Sequence, residues 1–222
     1  MMDIFIFDVE LGQCIFFYPR NHHDYALMVD CGNTQQFEPI DFLIEKRFLS
    51  YDSNRRKYIL SNLTVTNYDH DHFSGLPYLR SRTHIKSVKF PRNLTCAEIK
   101  SIKPEETSAL KEVTNIIDTY TTDVADYNPP YQKHCYYLNK SHFPNEPINT
   151  NKLSQLVFLT YNGTRICIPG DLDSTAWGKH LQDTNICTLL RGTDIFIASH
   201  HGREDGYNEQ VFNYCKPECV IL

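Results

Sequence analysis

At 222 residues the chain suits one large domain or two small ones, and 41% hydrophobic residues, 14 Tyr, 13 Phe and only 9 Gly exclude a disordered tail or a collagen-like repeat. A formal charge of −5 argues against a protein that coats nucleic acid through net positive charge, but it leaves room for a metal-centred phosphate site, because a bound divalent ion brings its own charge. No apolar run approaches the roughly 18 residues of a membrane span, and the start Met1-Met2-Asp3 lacks the basic segment and cleavage site of a signal peptide. The expectation is a cytoplasmic protein with no membrane partner. Its eight cysteines include no C-x-x-C pair and are read as reduced thiols, with Cys167 between Ile166 and Ile168 acting as a small core hydrophobe.

In chain order, Ile4 to Val9, Cys14 to Tyr18 and Tyr25 to Val29 are short β-rich apolar runs, read as three strands. Ile40, Leu43, Ile44 and Phe48 fall at helical spacing and predict an amphipathic helix between Phe37 and Leu49. A strand through Ile59, Leu63 and Val65 stops at the polar block Asn67-Tyr68-Asp69-His70-Asp71-His72. A short helix is expected over Phe73 to Leu79, then a strand over Ile85 to Phe90. Pro104-Glu105-Glu106 opens a further helix whose buried stripe is Leu110, Val113, Ile116 and Ile117. Residues 121 to 150 show no period and are read as irregular. Asn162-Gly163 between Leu156–Thr160 and Thr164–Ile168 is a hairpin signal. A helix with Trp177, a strand over Asp194 to Ala198, a helix around Val211 and Phe212, and an apolar end at Cys219 to Leu222 complete the chain, with no repeat and no linker.

Three polar clusters each follow directly on an apolar strand: Asn67 to His72 after Val65, Asp171 after Ile168, and His200-His201 after Ile197. Strand ends on one edge of a sheet can converge, and His with Asp there are ligands for Zn²⁺, Mn²⁺ or Fe²⁺. His22, His23, His84 and His180 read as structural, whereas the basic positions Arg80, Arg82, Lys86, Lys89 and Arg92 suit either a solvated strand face or phosphate contacts.

With these clusters the sequence resembles the metallo-β-lactamase fold family, and within it the soluble domain of ComEC-type competence proteins. The resemblance is carried by Phe7-Asp8-Val9-Glu10-Leu11-Gly12-Gln13-Cys14-Ile15, Met28-Val29-Asp30-Cys31-Gly32, the loop from Thr66 to Gly75-Leu76, Gly170-Asp171-Leu172 and Ser199-His200-His201-Gly202. The family's metal loop reads His-x-Asp-x-Asp-His in the competence subgroup, and this chain departs from it at Asn67. The resemblance implies an α+β fold, an αββα four-layer sandwich formed by residues 1–222 as a single domain, with one or two divalent ions, Zn or Mn, at one edge. It implies Asp71, His72, Asp171 and one of His200 or His201, with His201 favoured, around one ion, Asn67, Asp69 and a shared Asp171 around the other, and Asp71, Asp171 and His200 as catalytic groups.

The function it implies is a metal-dependent hydrolase of phosphodiesters, nuclease-like, acting on nucleic acid or another phosphodiester through metal-activated water. Two alternatives stand beside it: a catalytically weakened or inactive module of the same fold serving binding or assembly, and a hydrolase of small phosphoesters or cyclic nucleotides. Family members continue past the strand that ends at Leu222, so a missing C-terminal segment or a partner chain is expected to cover that strand.

Overall fold

The structure is a computed structural model that describes residues 1–103, 105–122 and 127–222. It divides into two compact units, Met1–Phe90 with Cys96–Pro130, and Pro91–Thr95 with Tyr131–Leu222.

In the first unit β1 (Met2–Ile6), β2 (Ile15–Pro19) and β3 (Leu27–Val29) form an antiparallel meander. After α1 (Pro39–Glu45) and the short β4 (Tyr51–Asp52), β5 (Lys57–Thr64) returns parallel to β3, pairing Val29 with Thr64. Two helical segments, α2 (His70–Phe73) and α3 (Leu76–Arg82), lead into β6 (Thr83–Lys89). This strand is parallel to β5 with Lys89 beside Thr64. Three parallel strands therefore end side by side, so the loops that follow them leave from one edge, where ligand sites of such sheets are built. Helices α4 (Cys96–Ile102) and α5 (Ser108–Thr119) complete the unit.

The interior here is set by near-continuous apolar strands: Phe16, Phe17, Leu27, Val29, Leu60 and Leu63 are fully buried. Burying each such side chain contributes roughly 1.5–3 kcal/mol. Strands read without polar alternation are strands covered on both faces, as β2 and β3 are. Helix α5 turns Leu110, Val113 and Ile116 of the expected stripe inward but leaves Ile117 half-buried, and Thr107 caps it by accepting the Leu110 N–H at 3.1 Å.

The second unit holds a five-stranded sheet. β7 (Gln132–Tyr136), β8 (Leu156–Tyr161) and β9 (Thr164–Ile168) are antiparallel neighbours. The β8–β9 turn sits at Asn162 and Gly163, φ +49° and +89°, as the Asn-Gly signal predicts. After β9 the chain crosses over through α6 (Ser174–His180) and α7 (Thr184–Arg191) to β10 (Ile195–Ile197), parallel to β9, and β11 (Cys219–Ile221) adds parallel to β10. The loops after β9 and β10 thus also leave from one sheet edge.

Several elements differ from the sequence reading. The irregular stretch from 121 to 150 contains β7, whose half-exposed Gln-Lys-His-Cys-Tyr lacks an apolar signal. The segment around Val211 and Phe212 is a 3₁₀ turn, Glu209–Asn213. The first strand ends at Ile6, before the expected Val9. Of the helix start read at Pro104, that residue lies outside the described residues, and α5 begins at Ser108.

Candidate functional site

In the first unit the site is organised by Asp30, the residue that follows β3. Its backbone is in the left-handed region, φ +56°, and its side chain is fully buried. The carboxylate accepts four hydrogen bonds: from the Thr66 N–H at 2.6 Å, the Thr66 hydroxyl at 2.5 Å, the Gln13 amide at 2.7 Å and His72 Nδ1 at 2.8 Å. A carboxylate that accepts a hydrogen bond from Nδ1–H fixes the tautomer of His72 and leaves Nε2 as the nitrogen with the lone pair. His72 is itself fully buried, and one donor atom of it lies within 4.8 Å of one of Asp71.

The turn that carries this pair is held by its backbone. The His72 carbonyl accepts the Cys31 N–H at 2.8 Å, and the Asp71 carbonyl accepts the Gln13 N–H at 3.3 Å. Two glycines make the approach possible: a Cβ on Gly12 would stand 2.6 Å from the Asp71 oxygen, and one on Gly32 closer still. The motifs around residues 7–15 and 28–32 thus wrap the loop that holds Asp71 and His72.

Asn67 and Asp69, the residues expected at a second ion, have other contacts. Asn67 is fully buried and its Oδ1 accepts the Asp69 N–H at 3.0 Å, an Asx-turn that shapes the loop. The Asp69 carboxylate pairs with Lys103 Nζ at 2.7 Å.

In the second unit Asp171 follows β9 and is buried, and His200 and His201 follow β10. His201 Nε2 stands 3.3 Å from Asp171 Oδ1, and His200 Nε2 stands 4.0 Å from Oδ2. His200, His201 and Gly202 have φ of +50°, +53° and +75° in succession. For the two histidines this conformation costs roughly 1–2 kcal/mol each. The Ser199 hydroxyl offsets part of it by donating to the Leu172 carbonyl at 2.5 Å, as does the His200 N–H to the Gly170 carbonyl at 3.0 Å. Arg203 can only donate, so its 3.3 Å contact makes His200 Nε2 an acceptor and places the ring proton on Nδ1, which donates to Asp205 at 2.7 Å. Imidazole nitrogens and carboxylate oxygens are the donor chemistry of Zn²⁺, Mn²⁺ and Fe²⁺, so Asp71 with His72, and Asp171 with His201, fit a divalent metal as ligands.

Sequence reasoning quoted Asp30 within a motif but assigned it no role; its signal was a lone carboxylate at the end of an apolar strand. Lys103 and Asp205 carried none. The basic positions read as possible phosphate contacts are partly engaged: Arg80 pairs with Glu112, and Arg82 with Asp41 at 2.8 Å.

No protein-family model and no curated protein matches the chain. Solved structures do. CmlA, a diiron β-hydroxylase from Streptomyces venezuelae, aligns with a TM-score of 0.50 and 14% identity over 88% of this chain and 34% of its own. YhfI, a metallo-β-lactamase fold protein from Bacillus subtilis, aligns at 0.42 and 14% over 89% of this chain and 70% of its own. The short form of human tRNase Z aligns at 0.45 and 14% over 100% and 96%. The chain thus spans about a third of CmlA. At such identities the likeness is one of fold: the mixed α+β class with two sheets and helices is the class expected, and a metallo-β-lactamase fold protein is among those it is similar to. Among the described residues no helix is long and apolar enough to cross a membrane.

Proposed function

We propose that the chain is a metal-dependent hydrolase of phosphodiesters, nuclease-like, with Asp71, His72, Asp171 and His201 as metal ligands. The observation that carries this reading is the buried His72, whose Nδ1 is tied to Asp30 at 2.8 Å beside the Asp71 carboxylate. Histidines that bind metals are typically oriented by such a carboxylate, and here the carboxylate is itself fixed by three further donors, the Gln13 amide and the Thr66 N–H and hydroxyl. The Asp171–His201 pair in the second unit supplies the same chemistry. A divalent ion held by either pair would supply Lewis acidity and positive charge for the developing phosphorane oxygens. The chain's own residues do the rest: Asp30 holds the His72 ring, and Asp205 and Arg203 orient the His200 ring, with Asp205 at Nδ1 and Arg203 at Nε2. Nucleic acid as the substrate class follows the ComEC-type resemblance of the metal loop.

A weakened form of this activity is favoured by the contacts of Asn67 and Asp69, which serve an Asx-turn and Lys103. One ion per chain is therefore the expected stoichiometry, and two only with excess Mn²⁺, which tolerates oxygen ligands better. The test is to incubate purified protein and Mn²⁺ or Zn²⁺ with labelled DNA and RNA beside an Asp71→Ala/His72→Ala control, with metal counted by elemental analysis after dialysis. Metal-dependent cleavage lost in the control supports the reading; equal background in both proteins would leave a binding module of the same fold.

A further inference from the structure

The short helix α2 has two faces with different contents. Its Asp71 and His72 are the proposed ligands, whereas His70 and Phe73, three residues apart and so on a common face, line a cavity of about 290 Å³ with Tyr68, Lys103, Glu105 and Leu110. Tyr68 and Phe73 are buried walls, and His70 is an exposed ring set edge-on to Phe73, with centroids 6.0 Å apart at 89°. None of the proposed metal ligands Asp71, His72, Asp171 and His201 lines this cavity.

We propose that it is a nucleobase subsite, taking the flat heterocycle of a nucleotide whose phosphate lies toward Lys103. The volume is at the small end of ligand pockets, enough for one ring system and too small for a large ligand. The His70 ring is its exposed aromatic surface, backed by the buried Tyr68 and Phe73, which suits stacking with a base. The polar groups at its rim are of opposite sign and suit the two ends of a nucleotide. The Lys103 ammonium spends one of its three donors on Asp69 at 2.7 Å and can offer the others to a phosphate. The Glu105 carboxylate accepts from the exocyclic amino group that adenine, cytosine and guanine carry. This inference rests on the phosphodiesterase reading for its substrate class, but the cavity's affinity for a base needs no metal.

The test is therefore binding in EDTA. Adenosine 5′-monophosphate and ribose 5-phosphate are titrated against the full chain, with saturation-transfer NMR reading which ligand protons touch the protein. The expected result is saturation of adenine H2 and H8 and affinity for the nucleotide about tenfold above that for the sugar phosphate. His70→Ala should weaken nucleotide binding about tenfold, and His70→Phe, which restores a ring, should keep it within about twofold of wild type. Because His70 is exposed, neither variant threatens the fold, and matching thermal melts check this. Equal affinities for the two ligands, saturation confined to the ribose, or an unchanged His70→Ala would overturn the subsite. Base binding that persists in a chain without metal-dependent cleavage would remove the hydrolase reading and keep the subsite. Cleavage without base binding would do the reverse.

Discussion

Asp30 shows how much one side chain can organise. It ties the end of β3 to the chain after β5 through Thr66, to the first motif through Gln13, and to the proposed ligand His72, all from a fully buried position. Replacing it with Ala leaves those buried donors without their acceptor, a loss on the order of 3–5 kcal/mol that thermal or urea unfolding would register. Asp30→Asn keeps the shape but weakens the hold on the His72 Nδ1 proton. Its expected signature is a fold that survives with metal affinity reduced roughly 10- to 100-fold, measured by competition with a chelating dye. Metal affinity equal to wild type in that variant would detach Asp30 from the proposed metal chemistry. The glycine contacts give a second residue-scale expectation. In Gly12→Ala the new methyl meets a backbone oxygen held by its own hydrogen bond, so the turn must shift, at roughly 1–3 kcal/mol. An unchanged melting temperature would mean that the residue 70–72 turn has more slack than its contacts imply.

Elements are specified mainly by their ends and by the faces they bury. Helix α5 is amphipathic and capped at one end by Thr107, so Thr107→Ala should cost about 1 kcal/mol while Thr107→Ser costs little, a difference that chemical unfolding resolves. The elements legible in the sequence share this clarity: the Asn162-Gly163 hairpin carries its own turn signal, and β2 carries an unbroken apolar run. Those that were missed lack it. β7 has one polar residue after another because β8 covers only one of its edges, and β4 is two residues long. Helix α7 has Thr184-Asn185 at its start and a stripe of only Ile186, Cys187 and Leu190, which reads as weakly apolar until Asp183 is seen accepting the Asn185 N–H at 2.8 Å. The candidate site was legible for a related reason. Asp171, His200 and His201 come shortly after apolar strands, and Asp71 and His72 close the polar block that follows β5, so the strand pattern that identifies the sheets also points to these residues. The supports of that site were not legible, since Asp30, Lys103 and Asp205 find their partners through loops whose closure no local pattern records.

At the scale of the whole molecule, acid should act on the fold through a residue remote in sequence from the proposed ligands. His180 ends α6, is buried against Trp177 with ring centroids 6.5 Å apart, and its Nε2 has no hydrogen-bond partner among the described residues. Burial is the main reason its pKa falls from 6.5 to about 4, with the nearby His142 adding to the effect and Asp183 opposing it. In the unfolded chain the same ring titrates near its ordinary value, so between these two pH values the unfolded state binds more protons than the folded one. Stability from this residue is therefore complete above about pH 6.5 and is lost as pH falls toward 4, by an amount on the order of 3 kcal/mol. His180→Leu removes the titrating group and replaces a buried polar ring with an apolar side chain of similar size, which is close to neutral when no partner is left behind. Unfolding free energies measured from pH 7.5 to 4.5 in the presence of EDTA, which takes any bound metal out of the comparison, should show wild type and variant nearly equal at the upper end. The variant should become the more stable of the two as the pH drops. Parallel pH profiles would remove His180 as the source of the acid sensitivity.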